Sequence, residues 1–140
     1  MMVFHPETTR QALPPFDITT IVPNDGAVAD YCRFYHLDFE NDFYGLHHSC
    51  GYVDVAGYQI LTHTFIPINP KGTVWVVHGY LEHSGLYRHI LPQLFQQGYA
   101  VVIYDLPGHG LSTGTKASIG NFAEYQLIFR HLLMMLRDEL

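Results

Sequence analysis

Alternating polar and apolar positions give way along this chain to unbroken apolar runs and then to a helical period. In "SCGYVDVAGYQILTHTFIP", residues 49–67, the two kinds of position roughly alternate on either side of Ala56-Gly57. That pattern predicts two antiparallel strands joined by a tight turn at the glycine. After the turn-forming "PINPKG", the runs "TVWVV" (73–77) and "YAVVIYD" (99–105) are continuous apolar stretches, expected of strands covered on both faces. Between them, Leu86, Tyr87, Ile90, Leu91, Leu94 and Phe95 make a stripe that predicts a helix over 84–97, with Ser84 as N-cap and Gly98 as its stop. Strand, helix, strand in this order predicts a parallel pair with a right-handed crossover.

The last segment puts Phe122, Tyr125, Phe129, Leu132, Leu133 and Leu136 on one helical face, and Asn121 with Glu124 has capping-box spacing. A shorter helix is expected in "NDGAVADYCRFYHLDF", where Val28, Tyr31, Cys32 and Tyr35 share a face and Asn24 or Asp25 supplies the cap. Residues 1–23 carry Pro6, Pro14, Pro15 and Pro23 without a sustained period, and are expected to form an extended arm draped over a single domain spanning 24–140. No internal repeat or low-complexity tract interrupts this plan.

Composition narrows what such a domain does. A chain of 140 residues that is 48% hydrophobic and 14% charged suits one globular domain or part of a larger one. The formal charge of -6 and the lack of a Lys/Arg cluster argue against a nucleic-acid partner. The N-terminus has no basic start followed by an apolar core, and no apolar run approaches the roughly 20 residues of a membrane span. A soluble, cytoplasmic protein is expected, with Cys32 and Cys50 as reduced thiols.

The candidate chemistry begins with "DLPGHGLSTG", where Gly110, Ser112 and Gly114 spell G-x-S-x-G. A nucleophile elbow places its serine directly between a strand and a helix, whereas "LPGH" separates Gly110 from the strand and seven residues follow Ser112 before the helix. Downstream of Ser112 the histidine is His131, ahead of Asp138 and Glu139 and inside the helix, so the order Ser, acid, His is not met unless Glu124 served as the acid. Ser112 therefore reads as a loop residue satisfying local backbone groups, with Gly108 and Gly110 permitting a tight loop.

More specific are "HGYLEHSGLY", with His78, Gly79, Glu82, His83, Ser84, Gly85 and Tyr87, and "DLPGHGLS", with Asp105, Gly108, His109, Gly110 and Ser112. These segments, over residues 50–140, resemble the N-terminal half of an α/β-hydrolase, closest to the monoacylglycerol lipase and lysophospholipase group of serine aminopeptidase S33 type. The resemblance implies an α/β fold in which a β-hairpin precedes a parallel β-α-β unit and a helix. It also implies a serine carboxylester hydrolase without cofactor or metal, acting on a small acyl ester or lysolipid. In that family one oxyanion donor is the backbone N–H directly after the His-Gly pair, which falls on Tyr80, with Gly79 and His78 shaping the loop. Acyl transfer needs such donors because they hold the tetrahedral oxyanion better than the planar ester. Tyr80 departs from the small residue usual there. Glu82, His83, Asp105, Gly108, His109, Gly110 and Ser112 are implied to support the two loops.

Other readings are weaker. The spacing H-x-x-x-E-H is not the H-x-x-E-H of a zinc site, and His47 next to His48 points its side chains apart. "GHGLST" would need a third glycine at Thr113 to bind a dinucleotide. The sequence ends at Leu140 within an amphipathic run lacking Gly, Asn or Pro to close it, so the domain reads as cut, with nucleophile, acid and base expected beyond it. An inactive fragment or pseudo-enzyme serving as an interaction module is the alternative, as is another activity of the same fold: peptidase, thioesterase or epoxide hydrolase.

Overall fold

A computed structural model describes residues 3–140. Its centre is a four-stranded sheet in the order β1-β2-β4-β3, formed by β1 (His47–Val55), β2 (Tyr58–Ile66), β3 (Gly72–Val77) and β4 (Tyr99–Tyr104). β1 and β2 pair antiparallel in one unbroken register from His47 opposite Ile66 to Val55 opposite Tyr58. Ala56 and Gly57 close the hairpin with φ of 53° and 82°, the two left-handed residues of a turn whose twist matches that of the strands. β3 and β4 run parallel, as the β-α-β pattern predicts.

β4 is inside beyond its first residue: Ala100, Val101, Val102, Ile103 and Tyr104 are all buried, and Tyr99 is half-buried. Its alternating side chains divide between two cores. Val101 and Ile103 join Leu61, Phe65, Leu91 and Phe95 on one face, while Tyr104 joins Ile60, Ile128 and Leu132 on the other. β3 differs from the expected doubly covered strand. It is the edge of the sheet among the described residues, and Val74, Trp75 and Val76 are only partly buried. Continuity of apolar residues reports how a strand can be covered, and the cover here is incomplete.

The helix predicted over 84–97 is two pieces: a 3-10 turn Ser84–Tyr87 and α3 (Leu91–Gln96). Pro92 explains the break, since its ring excludes the carbonyl four residues earlier and it lacks an N–H, so it is accommodated only in the first turn of α3. Ser84 does not cap. The cap is His83, whose side chain accepts from the Gly85 N–H, because the Ser84 hydroxyl is bound to Asp105. Gly98 ends α3 with φ of 87°.

α4 (Ala123–Leu136) buries Ile128, Leu132 and Leu136, with Tyr125 and Phe129 partly covered. Phe122 lies outside the stripe and is exposed, since it precedes the helix. The capping box does not form: Asn121 Oδ1 accepts from the Ala123 N–H, the Glu124 N–H donates to the Asn121 backbone carbonyl, and Glu124 Oε2 accepts from the Tyr58 hydroxyl. α2 (Ala27–Phe34) has Gly26 at its N-cap position, and neither Asn24 nor Asp25 caps it.

The proline-containing arm is not uniformly extended, because Pro6–Ala12 forms helix α1. Pro6 suits the first turn, and Thr9 and Leu13 turn inward. Beyond it the arm follows β1, with Phe16 N–H donating to the Tyr52 carbonyl and Tyr52 N–H to the Pro14 carbonyl. Gly51 permits this crossing, since a Cβ there would lie 2.6 Å from the Pro14 oxygen.

Candidate active site

Two loops leave the same end of the parallel pair, and one buried carboxyl joins them. Asp105 directly follows β4, and its Oδ1 accepts from both the backbone N–H and the hydroxyl of Ser84, each at 2.7 Å. Its Oδ2 accepts from Leu111 N–H at 3.0 Å. Gly110 is required beside it: φ is 51°, and a Cβ would collide with Asp105 Oδ2.

His78, the residue after β3, makes the second tie. Leu106 N–H donates to its Nε2 at 2.9 Å. A backbone N–H can only donate, so the ring proton sits on Nδ1, from which it goes to the Gly79 carbonyl at 2.8 Å. His109 repeats the logic in the opposite direction. Its Nε2 accepts from Leu81 N–H at 3.2 Å, and its Nδ1 proton goes to the Pro107 carbonyl at 2.9 Å. Both rings are buried. Together they clamp the β3 loop to the β4 loop.

Between the clamps lies Tyr80. Gly79 N–H is taken by Glu82 Oε1 at 2.8 Å, and Leu81 N–H by His109. Leu81 has φ of 66°, a strained value for a branched residue, costing about 1–2 kcal/mol. Among the described residues no acceptor takes the Tyr80 N–H. Its neighbours are tied and it is free, so the loop presents one fixed donor to the outside. The Tyr80 ring packs edge-on to His109, and its hydroxyl donates to the Ala117 carbonyl at 3.2 Å. An apolar hollow of about 570 Å³ opens against it, walled by Leu106, Ile119, Phe122 and Tyr125.

Glu82 also accepts from the Tyr87 hydroxyl. Burial pushes the His83 imidazole below the ordinary histidine range, against the pull of the nearby Asp105 and Glu82 carboxyls. Ser112 is buried with its hydroxyl engaged twice: it donates to the Asp105 carbonyl at 2.6 Å and accepts from Leu61 N–H at 2.9 Å. A hydroxyl so held is engaged with two backbone groups, and no side-chain base is hydrogen-bonded to it among the described residues. Gly108 N–H donates to the Thr113 carbonyl, and its own carbonyl accepts from Ala117 N–H, which closes the loop.

Two participants carried no sequence signal. Arg10, from α1, donates to the carbonyls of Leu111 and Gly110 across a separation of about a hundred residues, and Leu81 gave no hint of its left-handed backbone. No group of three or more His, Cys, Asp or Glu among the described residues is placed to hold a metal ion. Among the same residues, no helix is long and apolar enough to cross a membrane.

A family model described as "Serine aminopeptidase, S33" matches residues 68–139, the interval that contains both loops. The monoacylglycerol lipase of Mycolicibacterium smegmatis is 32% identical over 83 residues, covering 59% of this chain and 30% of that protein. The caffeoylshikimate esterase of Arabidopsis thaliana is 33% identical over 88 residues, covering 59% of this chain and 26% of its own length. The chain thus spans less than a third of either relative. The structure of an esterase from Pyrococcus furiosus superposes with a TM-score of 0.54 over 85% of this chain and 41% of that one, at 15% identity.

Proposed function

The chain belongs to the serine aminopeptidase S33 family of α/β-hydrolases, and we propose that it forms the oxyanion-loop part of a serine carboxylester hydrolase of the monoacylglycerol lipase or lysophospholipase type. Tyr80 supplies one backbone donor, Gly79 and His78 shape its loop, and Glu82, His83, Asp105, Gly108, His109, Gly110 and Ser112 brace it. None of these 140 residues is assigned as nucleophile, acid or base. One observation carries this reading: the Tyr80 N–H is unengaged, while the N–H groups on both sides of it are held by Glu82 and His109. A donor fixed before the reaction costs no reorganisation when the oxyanion forms, which is what makes such groups effective.

The substrate class is a small acyl ester or lysolipid. Relatives named monoacylglycerol lipase, phospholipase and caffeoylshikimate esterase support it, as does the apolar hollow beside Tyr80. Cys32 and Cys50 are buried free thiols, which suits a reducing compartment, and the cytoplasm is the proposed location.

The test uses the protein in its full coding length with a fluorophosphonate probe and a monoacylglycerol or lysophospholipid. Stoichiometric labelling at a serine other than Ser112, together with ester turnover, is expected. Labelling of Ser112 would overturn the loop assignment. Absence of both labelling and turnover would favour an inactive interaction module.

A further inference from the structure

Arg10 bonds two successive carbonyls of the β4 loop, and the N–H of each of those two peptide groups is directed to a residue that ties the β3 loop. Its Nη2 donates to the Gly110 carbonyl at 3.3 Å, and its Nε to the Leu111 carbonyl at 3.1 Å. The Gly110 carbonyl shares its peptide group with the Leu111 N–H, which donates to Asp105 Oδ2 at 3.0 Å. The Leu111 carbonyl shares its peptide group with the Ser112 N–H, which donates to the His109 carbonyl at 3.1 Å. Asp105 in turn holds Ser84, and His109 holds Leu81. Both limbs that start at the guanidinium therefore end on the loop that carries Tyr80.

A peptide group whose oxygen accepts from a cation becomes a better donor at its nitrogen, because the amide polarises along its length. Asp105 is fully buried and receives donors at both oxygens. No Lys, Arg or His nitrogen pairs with it directly among the described residues. Arg10 provides the positive charge from one peptide group away. The two donors it uses lie side by side on one edge of a rigid planar fork, which fits two neighbouring carbonyls as a lysine ammonium does not. Its remaining arm, Nη1, pairs with Glu7, whose side chain is largely in water, so that pair is screened.

We infer that Arg10 is a positioning residue through which the N-terminal arm takes part in the candidate active site. It fixes the Gly110–Ser112 turn and, through Asp105 and His109, the β3 loop on both sides of the Tyr80 N–H. The arm has anchors of its own: Thr9 and Leu13 are buried, and the Phe4 ring packs edge-on against Tyr31, Phe34 and Tyr35. Removing the guanidinium therefore loosens the loops while the arm stays seated. The consequence for ester chemistry rests on the reading of the Tyr80 N–H as an oxyanion donor. Such a donor acts on the charge that forms in the transition state, so a loosened one lowers kcat and leaves KM nearly unchanged.

The test compares the protein in its full coding length with Arg10→Met, Arg10→Lys and Glu7→Gln. Turnover of an activated ester is taken per site titrated with a fluorophosphonate, so that misfolded molecules are not counted. Arg10→Met keeps the length of the side chain and removes both donors; kcat should fall by about tenfold to a hundredfold, with KM changed by less than about twofold. Arg10→Lys returns the charge and one donor and should recover part of that loss, and Glu7→Gln should match the wild type. In NMR, amide exchange at Leu81, Ser84 and Leu111 should quicken in Arg10→Met while β1 and β2 stay protected, and the Leu111 amide proton should move upfield as its bond to Asp105 weakens. Unchanged exchange and an unmoved Leu111 resonance would overturn the positioning role, whether or not the protein turns over esters. Quickened exchange with kcat intact, or a rise in KM alone, would overturn its link to the reaction. A wild-type protein that neither labels nor turns over would sink the ester-hydrolase reading by itself, with the exchange data still deciding whether Arg10 holds the loops.

Discussion

Asp105 Oδ1 lies 2.7 Å from both the nitrogen and the hydroxyl of Ser84, so the side chain that ends β4 positions the loop that follows β3. One carboxyl thus performs the long-range half of the site's construction. Asp105→Asn keeps its shape but offers one acceptor oxygen. Whichever way the amide turns, its NH2 meets a donor, either at Ser84 or at Leu111. Each buried donor left unsatisfied costs about 1–3 kcal/mol, and urea denaturation should show a midpoint lowered accordingly. An unchanged midpoint would mean that the loop is held by other contacts.

Gly79→Val in the full-length protein should lower kcat by about a hundredfold or more, the scale seen when an oxyanion donor is lost. A Cβ at Gly79 would lie 2.5 Å from Glu82 Oε1, so that carboxylate must give way and release the Gly79 N–H it holds at 2.8 Å, which loosens the backbone next to the Tyr80 N–H. Steady-state kinetics on an activated ester is the check, and a wild-type rate would remove the donor assignment.

Ser112→Ala separates stability from chemistry. The Leu61 N–H loses its buried acceptor, which should lower stability by about 1–3 kcal/mol. Fluorophosphonate labelling of the full-length variant should persist, and most of the turnover with it. A fully stable variant that no longer labels would give the opposite assignment.

Stability should fall in mild acid. His63 has its pKa well below the ordinary 6.5, chiefly through burial, and His83 is lowered in the same direction. For such groups the unfolded chain binds protons first. Their contribution is therefore intact above about pH 6.5 and is lost as pH falls from there toward the folded-state values, by up to about 1.4 kcal/mol per pH unit for the buried His63 and by less for the partly exposed His83. Chemical denaturation between pH 8 and 5 should show this slope, and His63→Gln should flatten it.

The outer edge of β3 makes a further prediction for the 140 residues expressed by themselves. Val77 is exposed at the end of β3, and β3 has no partner on that side among the described residues. A proline-free apolar strand with an open edge is a template for pairing with other chains. Size-exclusion chromatography should give broad, concentration-dependent association with dye binding. A sharp monomer peak with a cooperative melt would refute it.

The sequence by itself determined those features whose causes lie within one turn or one strand: the hairpin at Ala56-Gly57, the β3-α3-β4 order, the last helix and the two loop motifs. Period, turn residues and apolar runs are local, and the backbone answers to them locally. It was also sufficient to separate Ser112 from an elbow, because strand and helix stand too far from it in the chain. The tertiary structure decided whatever depended on which distant group reached a polar atom first. Ser84 has the composition of a cap, yet Asp105 takes its hydroxyl. Glu124 has the spacing of a capping box, yet Tyr58 takes its carboxyl. The hydrogen-bonded chain of Tyr31, His63, His48 and Glu40 was least legible, since these residues share no motif and meet only through strand register and the seating of α2. A buried polar group must find a partner, but its identity is a property of the packed chain, which no local pattern encodes.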